Sequence, residues 1–171
     1  MKVVLLGYMT SGKSSVGKLL AKGLGYDFID LDEEISTRTA MDIPTIFSEK
    51  GEIFFRKQEA QVLGDILNSS SDLVLSLGGG TPCYGNNMHL INEKTPNSFY
   101  LNLSIPSLVK RIAKEKKERP LVANIPDEEL PEFVGKHLFE RAPFYGMANH
   151  IIFTEKKTME EVADELKTYL V

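Results

Sequence analysis

A glycine-rich segment near the start of the chain contains residues whose types and spacing suit phosphate chemistry. Gly7 is followed by four residues and then by Gly12, Lys13 and Ser14, which gives the pattern G-x-x-x-x-G-K-S. The segment follows the apolar run 3–6 and precedes a predicted helix. In that setting backbone N–H groups and the helix N-terminus bind phosphate, the lysine neutralises the β- and γ-phosphates, and the serine hydroxyl ligates Mg²⁺. The pattern predicts a nucleoside triphosphate ligand; the alternative is an incidental strand–helix turn.

Two carboxylates form a second candidate site. Asp30 and Asp32 lie at the C-terminal end of the predicted strand 28–31. Ligands of parallel sheets bind outside the carboxyl ends of the strands, and alternate strand residues share a face, so both carboxylates are expected to point the same way. Beside a phosphate loop, such a pair could position Mg²⁺ and accept a proton from an attacking hydroxyl. The alternative is a strand end followed by a helix N-cap.

A charged helix provides candidates for binding the acceptor. Arg56 and Glu59 are three residues apart on the predicted helix 52–68, so they share a face and can pair. An arginine facing the cleft could hold a carboxylate through two hydrogen bonds, and Phe55 could form the floor under a ring. The alternative is a solvated ion pair above a core phenylalanine.

Three consecutive glycines, at positions 78–80, follow the predicted buried strand 73–77. Ordering three glycines costs backbone entropy, and this cost is explained if a ligand must approach the backbone closely at this point. The alternative explanation is a tight turn between the strand and the next helix. Many phosphate-loop proteins have an acidic Walker B residue at the end of such a strand, but this chain has Ser76 there. Metal positioning is therefore assigned to Ser14 and Asp30.

Two further arginines border a polar segment in the second half of the chain. Arg119 closes a basic run on a predicted flap, from which it could reach phosphates on closure; the alternative is a solvated loop. Arg141 lies near the end of the next predicted helix. Its alternative is helix termination by Pro143, with Arg141 complementing the helix dipole.

The elements that must position these residues alternate along the chain. Short apolar strands separated by helices predict a parallel sheet covered on both faces, and hence a three-layer α/β fold in a single domain over residues 1–171. The predicted strands are 3–6, 28–31, 73–77, 98–103 and 150–153.

Composition limits the partners and the compartment. The net charge of −4 gives no case for binding nucleic acid or an anionic membrane surface. The single cysteine, Cys83, excludes an internal disulfide and suits a reducing compartment. The first strand starts at Lys2, which leaves no room for a signal peptide, and no apolar run approaches the ~18 residues of a membrane span. We expect a cytoplasmic monomer that binds no membrane.

Taken together and in order, the motifs GYMTSGKS, DLD, FRKQE, GGG, RPL and RAPFY resemble those of the shikimate kinase family across all 171 residues. The resemblance implies a P-loop kinase fold with strand order 2-3-1-4-5, a helical substrate-binding region at about 32–60 and a mobile lid at about 112–127. It also implies transfer of the ATP γ-phosphate to the 3-hydroxyl of shikimate, with Mg²⁺, on the route to chorismate and aromatic amino acids.

The resemblance also implies roles for particular residues. Asp32, Lys13 and Arg119 would be catalytic, and Ser14 and Asp30 would hold the metal. The nucleotide would be bound by Thr10, Ser11, Gly12, Lys13, Ser14, Ser15, Arg111, Arg119 and Lys157. Shikimate would be bound by Asp32, Phe47, Phe55, Arg56, Glu59, Gly78, Gly79, Gly80 and Arg141.

One residue departs from the family pattern, because Thr10 stands where a third loop glycine is usual. We expect its backbone to lie in an ordinary region, since a β-branched residue with positive φ is strained by about 1–3 kcal/mol. Two alternative functions stay open. One is a related kinase for gluconate or a nucleoside monophosphate, and the other is a non-catalytic nucleotide-sensing module.

Overall fold

The computed structural model describes residues 1–171 and has a five-stranded parallel sheet at its centre. The strands are β1 (Lys2–Leu6), β2 (Asp27–Asp30), β3 (Leu73–Ser76), β4 (Ser98–Asn102) and β5 (His150–Phe153). Their spatial order is β2-β3-β1-β4-β5 and every neighbouring pair is parallel, which confirms the predicted topology.

Helices cover both faces of this sheet. They are α1 (Lys13–Leu24), α2 (Leu31–Thr39), α3 (Ile43–Glu49), α4 (Glu52–Asn68), α5 (Asn87–Lys94), α6 (Ile105–Glu115), α7 (Leu130–Tyr145) and α8 (Met159–Tyr169). Three short 3₁₀ turns lie at Thr81–Cys83, Lys116–Glu118 and Asp127–Glu129. No helix combines the length and the apolar character that crossing a membrane requires.

The central strand β1 explains why the fold has three layers. Its side chains alternate between the faces, and all four apolar residues are fully buried. Val3 and Leu5 pack in the cluster that includes residues of α1 and α8, whereas Val4 and Leu6 pack in the larger cluster formed with the helices of the other face. A strand buried on both sides must be apolar throughout, as the sequence of β1 is.

Side-chain caps begin two of the helices that border the site. Ser104 caps α6 by accepting a hydrogen bond from the Ser107 N–H. Thr158 and Glu161 form a capping box at the start of α8. These caps fix where each helix begins, and therefore how the loops before them meet the sheet.

The structure contradicts one prediction and one alternative that concern the site. β2 ends at Asp30, so Asp32 lies in the first turn of α2, and the argument that the two carboxylates share a strand face is wrong. The helix α7 continues through Pro143 to Tyr145, so the proline does not end it. Because Pro143 lies in the last turn, the helix loses a single backbone donor there and can continue.

Candidate active site

The loop between β1 and α1 forms one wall of a pocket of about 290 Å³ at the carboxyl ends of the strands. Gly12 caps α1 in a left-handed conformation with φ 95°, which a residue with a side chain rarely adopts. The pocket brings together most of the residues predicted for the nucleotide and the metal. Its lining consists of Met9, Thr10, Ser11, Gly12, Lys13, Ser14, Ser15, Asp30, Asp32, Ser76, Leu77, Gly78, Gly79 and Arg119.

Lys13 is held by the loop that precedes it. Its Nζ donates hydrogen bonds to the carbonyl oxygens of Gly7, at 2.7 Å, and Tyr8, at 2.9 Å. Burial lowers the pKa of Lys13 to about 8, against the opposing effect of Asp32. The charge of the buried ammonium group is poorly solvated, and this favours the binding of an anion such as a phosphate beside it.

Ser14, Asp30 and Ser76 form a small cluster of oxygen atoms at the floor of the pocket. The Ser14 hydroxyl donates to Asp30 Oδ2 at 2.9 Å and lies 3.5 Å from the Ser76 hydroxyl. Asp30 Oδ1 accepts from the Glu33 N–H, so Asp30 caps α2 as well as facing the loop. A hydroxyl and a carboxylate are the hard oxygen ligands that Mg²⁺ prefers, and two protein ligands leave room for waters and phosphates.

Thr10 contradicts our expectation of an ordinary backbone. Its φ is 63°, in the left-handed region, and its buried hydroxyl has no hydrogen-bond partner. A contact from another element holds this conformation, since the Thr10 carbonyl accepts a hydrogen bond of 2.9 Å from Arg111 on α6. A strained residue in a phosphate loop indicates that loop geometry takes precedence over local stability.

Arg111 and Lys157, both predicted to bind the nucleotide, lie outside the pocket lining. Arg111 is tied to the loop through Thr10, and the Met159 side chain packs beside Gly12, where an added Cβ would lie 3.0 Å from its methyl group. Lys157 pairs with Glu165 at 2.7 Å. α6 and the start of α8 therefore border the loop, but Lys157 makes no contact with it.

Asp32 lies between the phosphate loop and the glycine turn. Burial raises its pKa to about 6, with Asp30 and Glu59 adding to the shift and Lys13 and Arg56 opposing it. A carboxylate of this pKa is ionised at neutral pH and still able to accept a proton, which is the property a general base requires.

The glycine turn makes room for three charged side chains, one at each residue. A Cβ at Gly78 would lie 2.9 Å from Asp32 Oδ1, one at Gly79 3.0 Å from Arg141, and one at Gly80 2.9 Å from Arg56. At these distances a Cβ would displace the charged end of the side chain that faces it. The turn thus gathers a carboxylate and two guanidinium groups from α2, α4 and α7.

Arg56 is oriented by an ion pair and by aromatic rings. It donates a hydrogen bond of 2.9 Å to Glu59, as predicted, and Glu59 is fully buried. The second Glu59 oxygen accepts from the Thr81 hydroxyl at 2.9 Å, so the buried charge has a partner on each oxygen. Beside them the rings of Phe47 and Phe55 pack with centroids 4.8 Å apart and form an apolar wall.

Aromatic residues that the sequence did not single out support Arg141. Tyr145, one turn further along α7, is fully buried and donates a hydrogen bond of 2.6 Å to the Gly79 carbonyl. Tyr8 lies under the Arg141 guanidinium at 5.9 Å and shares a 2.9 Å hydrogen bond with His137. Burial raises the pKa of Tyr8 to about 12, so it stays protonated at neutral pH. His137, Arg141 and Tyr145 are spaced four residues apart on α7 and so share one helix face, and this spacing is the only signal for them in the sequence.

Arg119 lines the pocket from the segment after α6. Its guanidinium pairs with Glu115, one turn earlier, through Nε at 3.1 Å and Nη2 at 2.9 Å. Both side chains are more than a third exposed, so the pair is a weak one that a phosphate can replace.

Comparison with known proteins agrees with this geometry. The shikimate kinase family model matches residues 9–170. The chain belongs to the shikimate kinase family. It is 41% identical to a shikimate kinase of Flavobacterium psychrophilum over 99% of this chain and 98% of the relative. It is therefore an ATP-dependent kinase that phosphorylates shikimate in aromatic biosynthesis.

Solved structures of the family share the whole fold. A shikimate kinase from Bacteroides thetaiotaomicron is 32% identical, with a TM-score of 0.88 over 98% of this chain and 95% of that one. A shikimate kinase from Acinetobacter baumannii, solved in complex with shikimate, is 30% identical with a TM-score of 0.86, over 98% and 90% of the two chains. The predicted family and P-loop kinase fold are thereby confirmed.

Proposed function

We propose that the pocket transfers the γ-phosphate of ATP to the 3-hydroxyl of shikimate, with each half of the site built for one substrate. The phosphate loop with Lys13, and Arg119 from the lid at about 112–127, binds the phosphates of ATP. The region at about 32–60, the glycine turn and Arg141 bind shikimate. The observation that carries the proposal is the convergence of Asp32, Arg56 and Arg141 on the three glycines, directly beside the phosphate loop.

Shikimate fits the acceptor half by its chemistry. Its carboxylate suits the two guanidinium groups, which offer planar pairs of N–H donors. Its apolar ring edge suits the wall of Phe47 and Phe55, and its hydroxyls suit the Asp32 carboxylate. Glu59 acts by orienting Arg56.

In the reaction, the 3-hydroxyl oxygen attacks the γ-phosphorus while the bond from this phosphorus to the β,γ-bridging oxygen breaks. Asp32 accepts the hydroxyl proton, and ADP leaves. Lys13 and Arg119 stabilise the charge that develops on the transferred group and on the leaving oxygen.

Mg²⁺ is assigned to Ser14 and Asp30, whose oxygens already face each other at the end of the phosphate loop. When bound, the ion neutralises charge on the phosphates of ATP. Arg111 and Lys157 are assigned to the adenine side, where Arg111 also fixes the Thr10 carbonyl. The chain is proposed to act in the cytoplasm as a monomer.

A coupled ADP-release assay tests the substrate assignment. With ATP and Mg²⁺, we expect turnover on shikimate and none on gluconate or AMP at equal concentration. Turnover on gluconate or AMP without turnover on shikimate would contradict the proposal. Binding of ATP without binding of shikimate, measured by titration calorimetry, would instead support the nucleotide-sensing alternative.

A further inference from the structure

The Arg56 guanidinium lies close to two aromatic rings. Its Cζ atom is 5.0 Å from the centroid of Phe55, its neighbour on α4, and 3.7 Å from the centroid of Tyr84. The shorter distance is a direct stacking contact, in which the planar cation covers the ring face. Tyr84 follows the 3₁₀ turn Thr81–Cys83, which itself follows the glycine turn, so the contact joins two separate segments of the site.

The Tyr84 ring, rather than its hydroxyl, makes this contact. Its hydroxyl makes no hydrogen bond within the protein, and the residue is 37% exposed. A large aromatic residue that is this exposed contributes little to the core. Its position is explained by the guanidinium that it covers.

The stacking controls which edge of Arg56 is free. One amino group of the guanidinium is taken by Glu59, and the other lies against Gly80, where the acceptor would approach. A guanidinium clamped by a ring on its face cannot rotate about its long side chain, so less conformational entropy is lost when it binds a carboxylate.

Tyr84 covers one face of the Arg56 guanidinium at an open cleft of about 510 Å³ between α4 and the segment 84–87. Glu52, Lys57 and Asn87 line this cleft together with Arg56 and Tyr84. Without the ring, water would reach the guanidinium face, and Glu52, now 3.7 Å from its Nε, could draw Arg56 away from the glycine turn. The ring therefore keeps Arg56 directed toward the acceptor.

We propose that Tyr84 is a positioning residue for shikimate, which acts by stacking on Arg56 and holding its guanidinium toward the acceptor carboxylate. The inference rests on the proposed function of Arg56. It predicts an effect on shikimate binding alone, because Tyr84 does not line the pocket that contains the phosphate loop and Asp32.

Steady-state kinetics of Tyr84→Ala, Tyr84→Phe and Tyr84→Leu test the proposal. The KM for shikimate should rise about three- to tenfold in Tyr84→Ala, the range expected for a lost cation–π contact, with kcat and the KM for ATP within about twofold of the parent. Tyr84→Phe should keep the parent KM, since it retains the ring. Tyr84→Leu should behave as Tyr84→Ala does, because it fills space without a ring face. A parent-like KM in Tyr84→Leu, or an unchanged KM in Tyr84→Ala, would overturn the stacking role.

A double-mutant cycle with Arg56→Lys shows whether Tyr84 acts through Arg56. Lysine keeps the charge but lacks the planar group, so adding Tyr84→Ala to Arg56→Lys should change the KM for shikimate by less than about twofold. An equal effect of Tyr84→Ala in both backgrounds would contradict the proposal. Parent turnover is measured first: its absence would refute the proposed function, whereas parent turnover with an unaffected Tyr84→Ala refutes the role of Tyr84 alone.

Discussion

The donor and acceptor halves of the pocket are built in different ways. Lys13 is held by carbonyl groups five and six residues before it, within one loop. Arg56 is held by Glu59 on its own helix and by Tyr84 beyond the glycine turn, and Arg141 comes from a third segment. The phosphate loop of the donor half is thus a local structure encoded in a contiguous motif, to which Asp30 and Arg119 are added, whereas the acceptor half exists only once distant segments have packed. This difference predicts that variants of the acceptor half should leave nucleotide binding intact.

Asp32 is where the two halves meet, so its replacement should have the largest effect. Asp32→Asn removes the proposed proton acceptor, and we expect kcat to fall at least about 100-fold, with the Kd for ATP nearly unchanged. The matched control is Asp27→Asn, an exposed aspartate at the start of β2. Unchanged turnover in Asp32→Asn would refute any catalytic role.

The same variant should stabilise the metal-free protein. Because the pKa of Asp32 is raised from 3.8 to about 6 in the folded state, the folded protein holds its proton more tightly than the unfolded chain, and stability is lost as the pH rises between these values. Asp32→Asn avoids this loss. Its free energy of unfolding should exceed that of the parent by up to about 3 kcal/mol at pH 7 and by little below pH 4, as measured by urea denaturation.

Variants of Arg141 and Arg119 should distinguish the acceptor half from the donor half most clearly. Arg141→Ala should raise the KM for shikimate about 30- to 100-fold, since an arginine–carboxylate contact is lost. Arg119→Ala should instead lower kcat about 100-fold, with the KM for shikimate within about threefold of the parent value. Arg38→Ala, which removes a surface pair with Glu34 and Asp65, is the control. If Arg141→Ala changed the ATP constant alone, the assignment to shikimate would be wrong.

The sequence predicted the phosphate loop because its residues follow one another, and it predicted the sheet order through the resemblance. The binding roles given to individual residues stay predictions. The sequence did not predict the side-chain supports, since Tyr84 has no local pattern that distinguishes it from an ordinary surface residue and Tyr145 has only its four-residue spacing from Arg141. Asp32 was expected beside the phosphate loop for the wrong reason. Asp30 is both the last residue of β2 and the N-cap of α2, so Asp32 lies in the first turn of the helix and not in the strand.

Gly80→Ala tests whether the glycines serve the acceptor half. The backbone of Gly80 has φ −92°, so alanine adds no backbone strain, but its Cβ would lie 2.9 and 3.1 Å from the Arg56 amino groups. We expect the KM for shikimate to rise about tenfold and that for ATP to stay within twofold. Gly64→Ala on α4, where no atom lies within 4 Å of the added Cβ, should leave both constants unchanged. Equal constants in Gly80→Ala and the parent would show that the glycines serve only the turn.

The smallest effect is expected in the donor loop, at Thr10. Thr10→Gly relieves the strain of φ 63°, and after the entropy cost of glycine we expect a gain of about 1 kcal/mol in the free energy of unfolding. The helical Thr37→Gly should instead lose about 0.3 kcal/mol, the difference in helix propensity between the two residues. A loss of stability in Thr10→Gly, measured by urea denaturation, would mean that the threonine side chain stabilises the loop.

Calorimetric titration of the double variant Gly80→Ala, Arg141→Ala tests the separation of the two halves most directly. Shikimate and a non-hydrolysable ATP analogue with Mg²⁺ are titrated separately into the parent and the variant. The structure predicts that shikimate binding is lost in the variant, while the Kd for the nucleotide stays within about twofold of the parent, because no donor contact is altered. Shikimate binding at parent affinity, or a parallel loss of nucleotide affinity, would contradict the account.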